Sequence, residues 1–459
     1  MKNLWKKLFV LFAAAVLALG VVACGKGKGT SRVGTNKLRI SFVEAGYGRQ
    51  WLVSWIDAYN AAHPDEPIEV ELEGSSQMTG EIGTRLDAES NLSDIFIGLT
   101  TNWQSWAKKG QLEPLDDLYA SEVDPGVTLT DFMVEGVRDF GKVGQNKYAI
   151  PLNDGAAGIA YNKTMFDARG WEVPTTVAEL ETLCNTISAA PGNIAPFSWS
   201  GQAMYWDFPV MTWWAQYEGV ENFNNFYKFD SPEVFQQTGR VKALEVFQSL
   251  ICRGNGTAKN SADGSMSKNH IEAQMAFIQG KAAMIPNGAW LEYEMRNNIE
   301  PGSIEIRMMP TPVIAGAKTG ADGQPIKLNN TMAGDFIIIP KLAENKELAK
   351  KFLQFVHSDA MSKLYTQKCG APRPFKYSVK DITDLSGFTR SCLDIWENSV
   401  GLYEISQSPL FQVNYVNKWP SYGQPYGVMI TDNESPQTVV NTMYSYVQSQ
   451  WSSWAAILG

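Results

Sequence analysis

The sequence predicts a two-lobed α/β protein, each lobe a mostly parallel sheet flanked by helices, with hinge strands crossing between them. Three observations carry that expectation. At 459 residues the chain exceeds what one hydrophobic core holds, at roughly 100–200 residues per domain. Strand and helix patterns alternate near the start in βαβαβ order, which a parallel sheet with right-handed crossovers accommodates. Finally, Lys147–Met165 (KYAIPLNDGAAGIAYNKTM) sets alternating Tyr148, Ile150 and Leu152 before Asn153-Asp154-Gly155, with Ile159 and Tyr161 after it. Such a joint suits either a tight hairpin or a strand passing from one lobe into the next. The α/β pattern upstream favours the passage.

Taken in order, Leu38-Arg39-Ile40-Ser41-Phe42 alternates as a strand, and Trp51, Leu52, Trp55, Ile56 and Tyr59 recur at helical spacing up to Pro64. Ile68, Val70 and Leu72 alternate with Glu69, Glu71 and Glu73 in a second strand. A short helix over Glu81–Ala88, a buried strand over Asp94–Leu99 and a helix over Asn102–Lys109, closed by Gly110, complete this half. Ligands of such sheets sit beyond the carboxyl ends of the strands, here Val43–Tyr47, Glu73–Gln77 and Leu99–Trp103. Past the joint, Thr176-Val177-Ala178-Glu179 is a capping box whose helix carries Val177, Leu180, Cys184 and Ile187 on one face. An aromatic-dense segment runs from Trp199 to Tyr217. Helices around Val241–Ile251 and Ile271–Gln279 lead to Lys281–Trp290, a strand entering a turn. Ile304–Met308 and Phe336–Ile339 read as strands, separated by a Gly-rich excursion, Ala315–Gln324, that reads as a hairpin tip. Ala343–His357 is an amphipathic helix, and Ser435-Pro436 opens the last one.

Residues 1–23 combine Lys2, Lys6 and Lys7 with an apolar run from Leu8 to Ala23, shorter than the roughly 20 residues of a membrane-spanning helix, and read as an export signal. The run ends in Val21-Val22-Ala23-Cys24, which resembles the lipobox of bacterial lipoproteins, with Val21 where Leu is commoner. That resemblance implies lipid attachment at Cys24 and anchoring to the outer face of the cell membrane. Residues 24–36 then form a Gly/Lys tether, whose span of about 5–6 Å × √n keeps the folded body within a few nanometres of the membrane. The net charge of −9, with Lys and Arg scattered, offers no basic face for nucleic acid. Cys184, Cys252, Cys369 and Cys392 form no CxxC pair and only 3 histidines exist, so no metal or redox site is expected. Up to two disulfides stay open, their connectivity unreadable. GxSxG, HExxH and GxxxxGK[ST] are all missing. Gly46-Tyr47-Gly48-Arg49-Gln50-Trp51 echoes a dinucleotide fingerprint, but Trp51 replaces its third glycine, so neither a cofactor nor a catalytic residue is expected.

The order of YAIPLNDGAAGIAYNKTMF, a Pro-Thr-capped helix, QGKAAMIPNGAWLE, MPTPV and IIIPKLAENKELAKKFLQFV resembles extracellular solute-binding proteins of bacterial ABC importers, in the sugar-binding group that includes maltose-binding protein. The resemblance runs from Leu38 to Pro374 and leaves Lys376–Asn433, with Trp396 and Trp419, unaligned. It implies a periplasmic-binding-protein-like fold whose cleft closes on ligand by bending, and delivery of the closed complex to a membrane permease. Crossovers are implied at the joint, near Met309–Pro312 and near Gly370–Pro374. The N-terminal lobe would then be 37–152 plus 309–370, and the C-terminal lobe 153–308 plus 371–459. The expected protein is a lipid-anchored, monomeric binding component that captures a carbohydrate, preferentially an oligosaccharide, with an ABC permease as partner and no enzymatic activity. An exported carbohydrate-active enzyme, whose two carboxylates no pattern reveals, and a sugar-sensor subunit for a membrane receptor are the alternatives.

A sugar presents apolar C–H faces and a rim of hydroxyls, so its cleft needs flat aromatics beside carboxylates and amides. Trp290 follows Asn287-Gly288 at a strand-to-turn junction where the family places a stacking aromatic, with core packing as the alternative. Tyr205 and Trp206 fall in the segment where the family has ligand contacts, whereas Trp213 and Trp214 read as core. Asn102 and Trp103 follow the third strand, Glu44 and Tyr47 end the first, and Asn153 and Asp154 occupy the joint. For these the ordinary alternatives are turn formation and loop solvation. Asp335 at a strand start and Arg373 between two prolines complete the candidates.

Overall fold

Alternating burial of Leu38, Ile40 and Phe42 makes β1 (Lys37–Val43) the centre of the first lobe. The computed structural model describes residues 31–99, 103–203, 205–229, 231–331, 335–403 and 426–458. The segment expected to be an export signal and most of the expected tether, together with Cys24, Asn102 and Trp419, lie outside the described residues. The first sheet has the order β2 (Glu69–Ser75), β1, β3 (Ile95–Leu99), β10 (Asp335–Ile338), β4 (Ala149–Pro151). Here β1, β2 and β3 are parallel, while β10 runs antiparallel to both β3 and β4.

The helix Gln50–Ala62 buries Trp51, Leu52, Trp55 and Tyr59 against one face of this sheet, together with Phe352, Leu353 and Tyr365 from later helices. Met78, Ile82, Trp103 and Trp106 cover the other face. Helices therefore sandwich the sheet, as a parallel sheet apolar on both faces requires.

The second sheet has the order β6 (Ala195–Phe197), β7 (Ala282–Gly288), β5 (Ala157–Asn162), β9 (Leu328–Thr331), β11 (Val400–Tyr403), with β8 (Ile306–Met309) also paired to β5. Strand β5 is antiparallel to β7, β8 and β9, whereas β6 with β7 and β9 with β11 are parallel pairs. The capping box at Thr176 and Glu179 forms as expected and starts the helix Val177–Ala189. The final helix, Pro436–Leu458, lays Val440, Met443, Val447 and Trp454 into the same core as that helix.

Each sheet is thus parallel except for the strand that has just crossed into it: β5 follows β4, and β10 follows β9. The reason is geometric. Both sheets turn their carboxyl edges toward one cleft, so a strand leaving one sheet through that edge enters the other against its direction. The return crossing falls between Thr331 and Asp335, later than the Met309 expected, because β8 and β9 both pair within the second sheet. The MPTPV segment accordingly lies in the second lobe, where Trp213 Nε1 donates to Pro312 O at 2.9 Å. Around Ala371–Phe375 the chain packs into the first-lobe core, and the helix Gly387–Glu397 then packs into the second.

All four described cysteines are free and buried. Among the described residues no helix is long and apolar enough to cross a membrane.

Candidate functional site

Where the two carboxyl edges face each other the chain encloses a cavity of about 260 Å³. The first lobe contributes Val43 and the loop Ala45–Gly48 at the end of β1, Ile97 and Gly98 of β3, Trp51 and Tyr365. From the second lobe come Tyr205, Phe208, His270, Trp290 and Glu294. Leu152, Asn153 and Asp335 line it from the crossing strands.

Three rings form the second-lobe wall. Tyr205 stacks on Phe208 at 5.4 Å between centroids, and Trp290 meets both edge-on at 5.6 and 5.7 Å. Trp290 is 8 % exposed and its ring folds back over Gly288, where a Cβ would lie 1.8 Å from it. A Cβ on Gly46 would come within 2.9 Å of Trp290 Cβ, so the first-lobe loop approaches the second-lobe wall closely only as glycine.

The polar groups gather at the crossing strands. Asn153 Nδ2 donates to Asp335 Oδ2 at 2.8 Å, and Leu152 N donates to Asp335 O at 2.8 Å, so the two crossings are tied together at the cavity. Burial pushes the Asp335 carboxyl up to about 6, against the lowering effect of Asn153. The Tyr47 hydroxyl and Asn153 Oδ1 are buried without a partner among the described residues. Across the cavity Glu294 accepts from Gln274 Nε2 at 2.8 Å and lies 3.8 Å from His270 Nε2. Such an arrangement offers ring faces for apolar patches and unmet acceptors for hydroxyl or amine donors.

Of the expected site residues, Tyr47, Asn153, Tyr205, Trp290 and Asp335 come together on this cavity. Trp206 does not: it is fully buried, edge-on to Phe197 and Phe247, because Asp207–Glu218 begins a helix just after it and turns its ring into the core. Trp103 is likewise core, tilted over Phe336 at 5.4 Å. Glu44 is ion-paired with Arg49, whose hydrogen bond holds its carboxyl below the usual range, and it lies off the cavity.

Asp154 is turned away behind the joint. It accepts from Trp396 Nε1 at 3.0 Å and from its neighbour Gly155 N at 2.8 Å, and burial raises its carboxyl to about 6. Arg373 is a buried strut rather than a ligand contact. It donates to Leu152 O at 3.1 Å and Val356 O at 2.7 Å, with its guanidinium over the rings of Trp55 and Phe375. Asn102 lies outside the described residues.

Phe208, Trp51, Tyr365, His270 and Glu294 were not expected. Phe208 sits in the aromatic segment already singled out, and Trp51 in the first turn after the first strand end. His270, Glu294 and Tyr365 lie on helices whose patterns mark a core-facing stripe and give no sign of a cleft.

Residues 45–363 match the model of the bacterial extracellular solute-binding protein family, and the chain belongs to that family. It is 24% identical over 234 residues to the multiple sugar-binding protein of Streptococcus mutans, covering 50% of this chain and 52% of that one. It is also 24% identical over 278 residues to the diacetylchitobiose binding protein NgcE of Streptomyces coelicolor, covering 59% and 55%. The chain thus spans about half the length of the curated relatives it matches. A structure from work on xylan utilization by the thermophilic bacterium Caldanaerobius polysaccharolyticus shares the fold, with a TM-score of 0.67 at 18% identity over 90% of this chain and 100% of that one.

Proposed function

We propose that this protein is the binding component of an ABC importer, capturing a carbohydrate in the cavity between its lobes and handing it to a membrane permease. The observation that carries this reading is the joining of three rings with Asp335 and Asn153 at the crossing strands and with the Tyr47 hydroxyl, which has no partner among the described residues. Rings cover the C–H faces of a sugar, while the acceptors at the joint accept hydrogen bonds from its hydroxyls. Because the guest touches both lobes, occupancy raises the closed population by the difference in contacts between closed and open forms. The cavity lies just below the common range of roughly 300–1,000 Å³ for ligand pockets, which favours a short saccharide. The sugar-binding names of the two curated relatives support the same substrate class. Lipid attachment at Cys24, behind the apolar run, holds the monomer on the outer face of the cell membrane.

Titration calorimetry of the chain without its leader against a panel of mono- and disaccharides tests this directly. Stoichiometric binding without product formation is expected. Turnover of a glycoside would make the protein an enzyme, and binding only to peptides would remove the carbohydrate.

A further inference from the structure

Charge is the property of this cavity that capture of a neutral sugar leaves unused. Asp335 stands at its edge with a hydrogen bond from Asn153 and no salt bridge among the described residues. Just behind it the Asp154 carboxylate accepts from Trp396 and Gly155, again with no cation among the described residues. On the opposite wall stands Glu294, met by Gln274 and at 3.8 Å by His270. Among the described residues that line the cavity none is lysine or arginine. Of the nearby guanidinium groups, Arg49 is paired with Glu44, Arg373 donates to the carbonyls of Leu152 and Val356, and Arg296, at the rim behind Gly48, donates to Tyr293 O and lies over the Tyr293 ring.

A partly buried carboxylate facing a cavity without a counter-ion is costly, and a guest that supplies the missing charge offsets that cost. Burial raises both joint carboxyls to about 6, which still leaves them mainly ionised at neutral pH. The rings add a second element, because a cation over an aromatic face within about 6 Å of its centroid is attracted by the ring quadrupole. An anionic guest meets Asp335 at the crossing strands and Glu294 on the second-lobe wall, and both repel it.

We infer that the guest carries a protonated amine, seated on Asp335 among the rings of Tyr47, Tyr205, Phe208 and Trp290, and that anionic sugars are excluded. This rests on the carbohydrate reading and narrows it to amino sugars.

Calorimetry at pH 7.5 with glucose, galactose and mannose, each as the neutral sugar, the 2-amino sugar and the uronate, tests it. Cellobiose and its 2-amino counterpart extend the set to disaccharides, and putrescine and choline serve as amines without a sugar ring. On whichever scaffold binds, the amino form is expected to be about ten-fold tighter than the neutral one, the difference between a charged and a neutral hydrogen-bond partner, with no detectable uronate binding. Asp335→Asn brings that ratio toward one, whereas Trp290→Ala weakens both forms and lowers the ratio only in part. Glu294→Gln also lowers the ratio and keeps the test available if the Asp335 variant fails to fold.

A neutral form as tight as its amine, or measurable uronate binding, overturns the charge inference and leaves the carbohydrate reading standing. Putrescine or choline binding tighter than every sugar overturns the narrowing to amino sugars, and the carbohydrate with it. Binding of no compound overturns both.

Discussion

Replacing Asp335 by asparagine should make the unliganded protein more stable at neutral pH, and the structure gives the size of the effect. The carboxyl rises from 3.8 to about 6 on folding, chiefly through burial. A folded chain therefore holds a proton between those values that the unfolded chain has released. The stability linked to this proton is fully present below 3.8 and lost as pH rises through 6, with no further change above. Two units at about 1.4 kcal/mol each put the cost of the ionised group near 3 kcal/mol at pH 7.5 and near 1 kcal/mol at pH 4.5. Asparagine keeps an acceptor for Asn153 Nδ2 and removes the titration. Urea unfolding followed by tryptophan fluorescence should then show Asp335→Asn ahead of the parent at pH 7.5, with the gap shrinking by about 2 kcal/mol at pH 4.5. Asp154, raised to about 6 by the same cause, continues to titrate in both proteins and cancels from the difference. An equal gap at both pH values, or a less stable variant at pH 7.5, would refute the assignment of the penalty to the Asp335 charge.

Three further outcomes follow from the placement of side chains. Trp290→Ala should weaken sugar binding by more than about 1 kcal/mol in calorimetry while keeping a cooperative thermal transition, whereas Trp206→Ala should cost about 3–5 kcal/mol of stability through its core cavity. Arg373→Met leaves the carbonyls of Leu152 and Val356 without their donor, for a loss of about 1–3 kcal/mol in urea unfolding. Arg373→Lys should not restore it, since one ammonium cannot reproduce the planar fork. A chain beginning at Gly25 should show no reactive thiol when native and four in denaturant, because burial pushes Cys184 and Cys369 up to about 12 and Cys252 to about 11.

Periodicity exposed most of the fold, since Leu38–Phe42, Trp51–Tyr59, the Thr176 capping box and the Ala343–His357 stripe all carry a spacing that only one element satisfies. Strand β9 escaped because its four residues, LNNT, show no alternation, yet all four are buried. Its asparagines are polar for a tertiary reason: Asn329 Nδ2 reaches across to Gly155 O at 3.0 Å, a partner far along the chain. At the site, the aromatic segment was visible but not the direction of its rings. One residue separates Tyr205 on the cavity from Trp206 in the core, and the helix start at Asp207 decides between them. Arg373, flanked by Pro372 and Pro374, carries the pattern of an exposed loop. Its burial arises only because the third crossing packs beside the first, an adjacency that no local pattern records.

That adjacency also determines how a guest would be felt. The first crossing is bonded to the second through Asn153 and Asp335, and to the third through Asp154 N and Pro372 O at 2.8 Å and through Leu152 O and Arg373. Asp154 ties the same crossing to Trp396 on a helix of the second lobe. Bending the lobes must rotate the backbone within these few residues, since the sheets on either side are packed on both faces. A guest held by Asp335 and Asn153 therefore makes its polar contacts on the pivot and its ring contacts on the second lobe. Contacts at the pivot persist in open and closed forms, so they set affinity without favouring closure. The contacts that separate the two states are those to Tyr205, Phe208 and Trp290, which a first-lobe-bound guest gains only when the lobes meet. In the proposed function the carboxylate selects the guest and the rings convert its presence into the closed form that a permease could recognise.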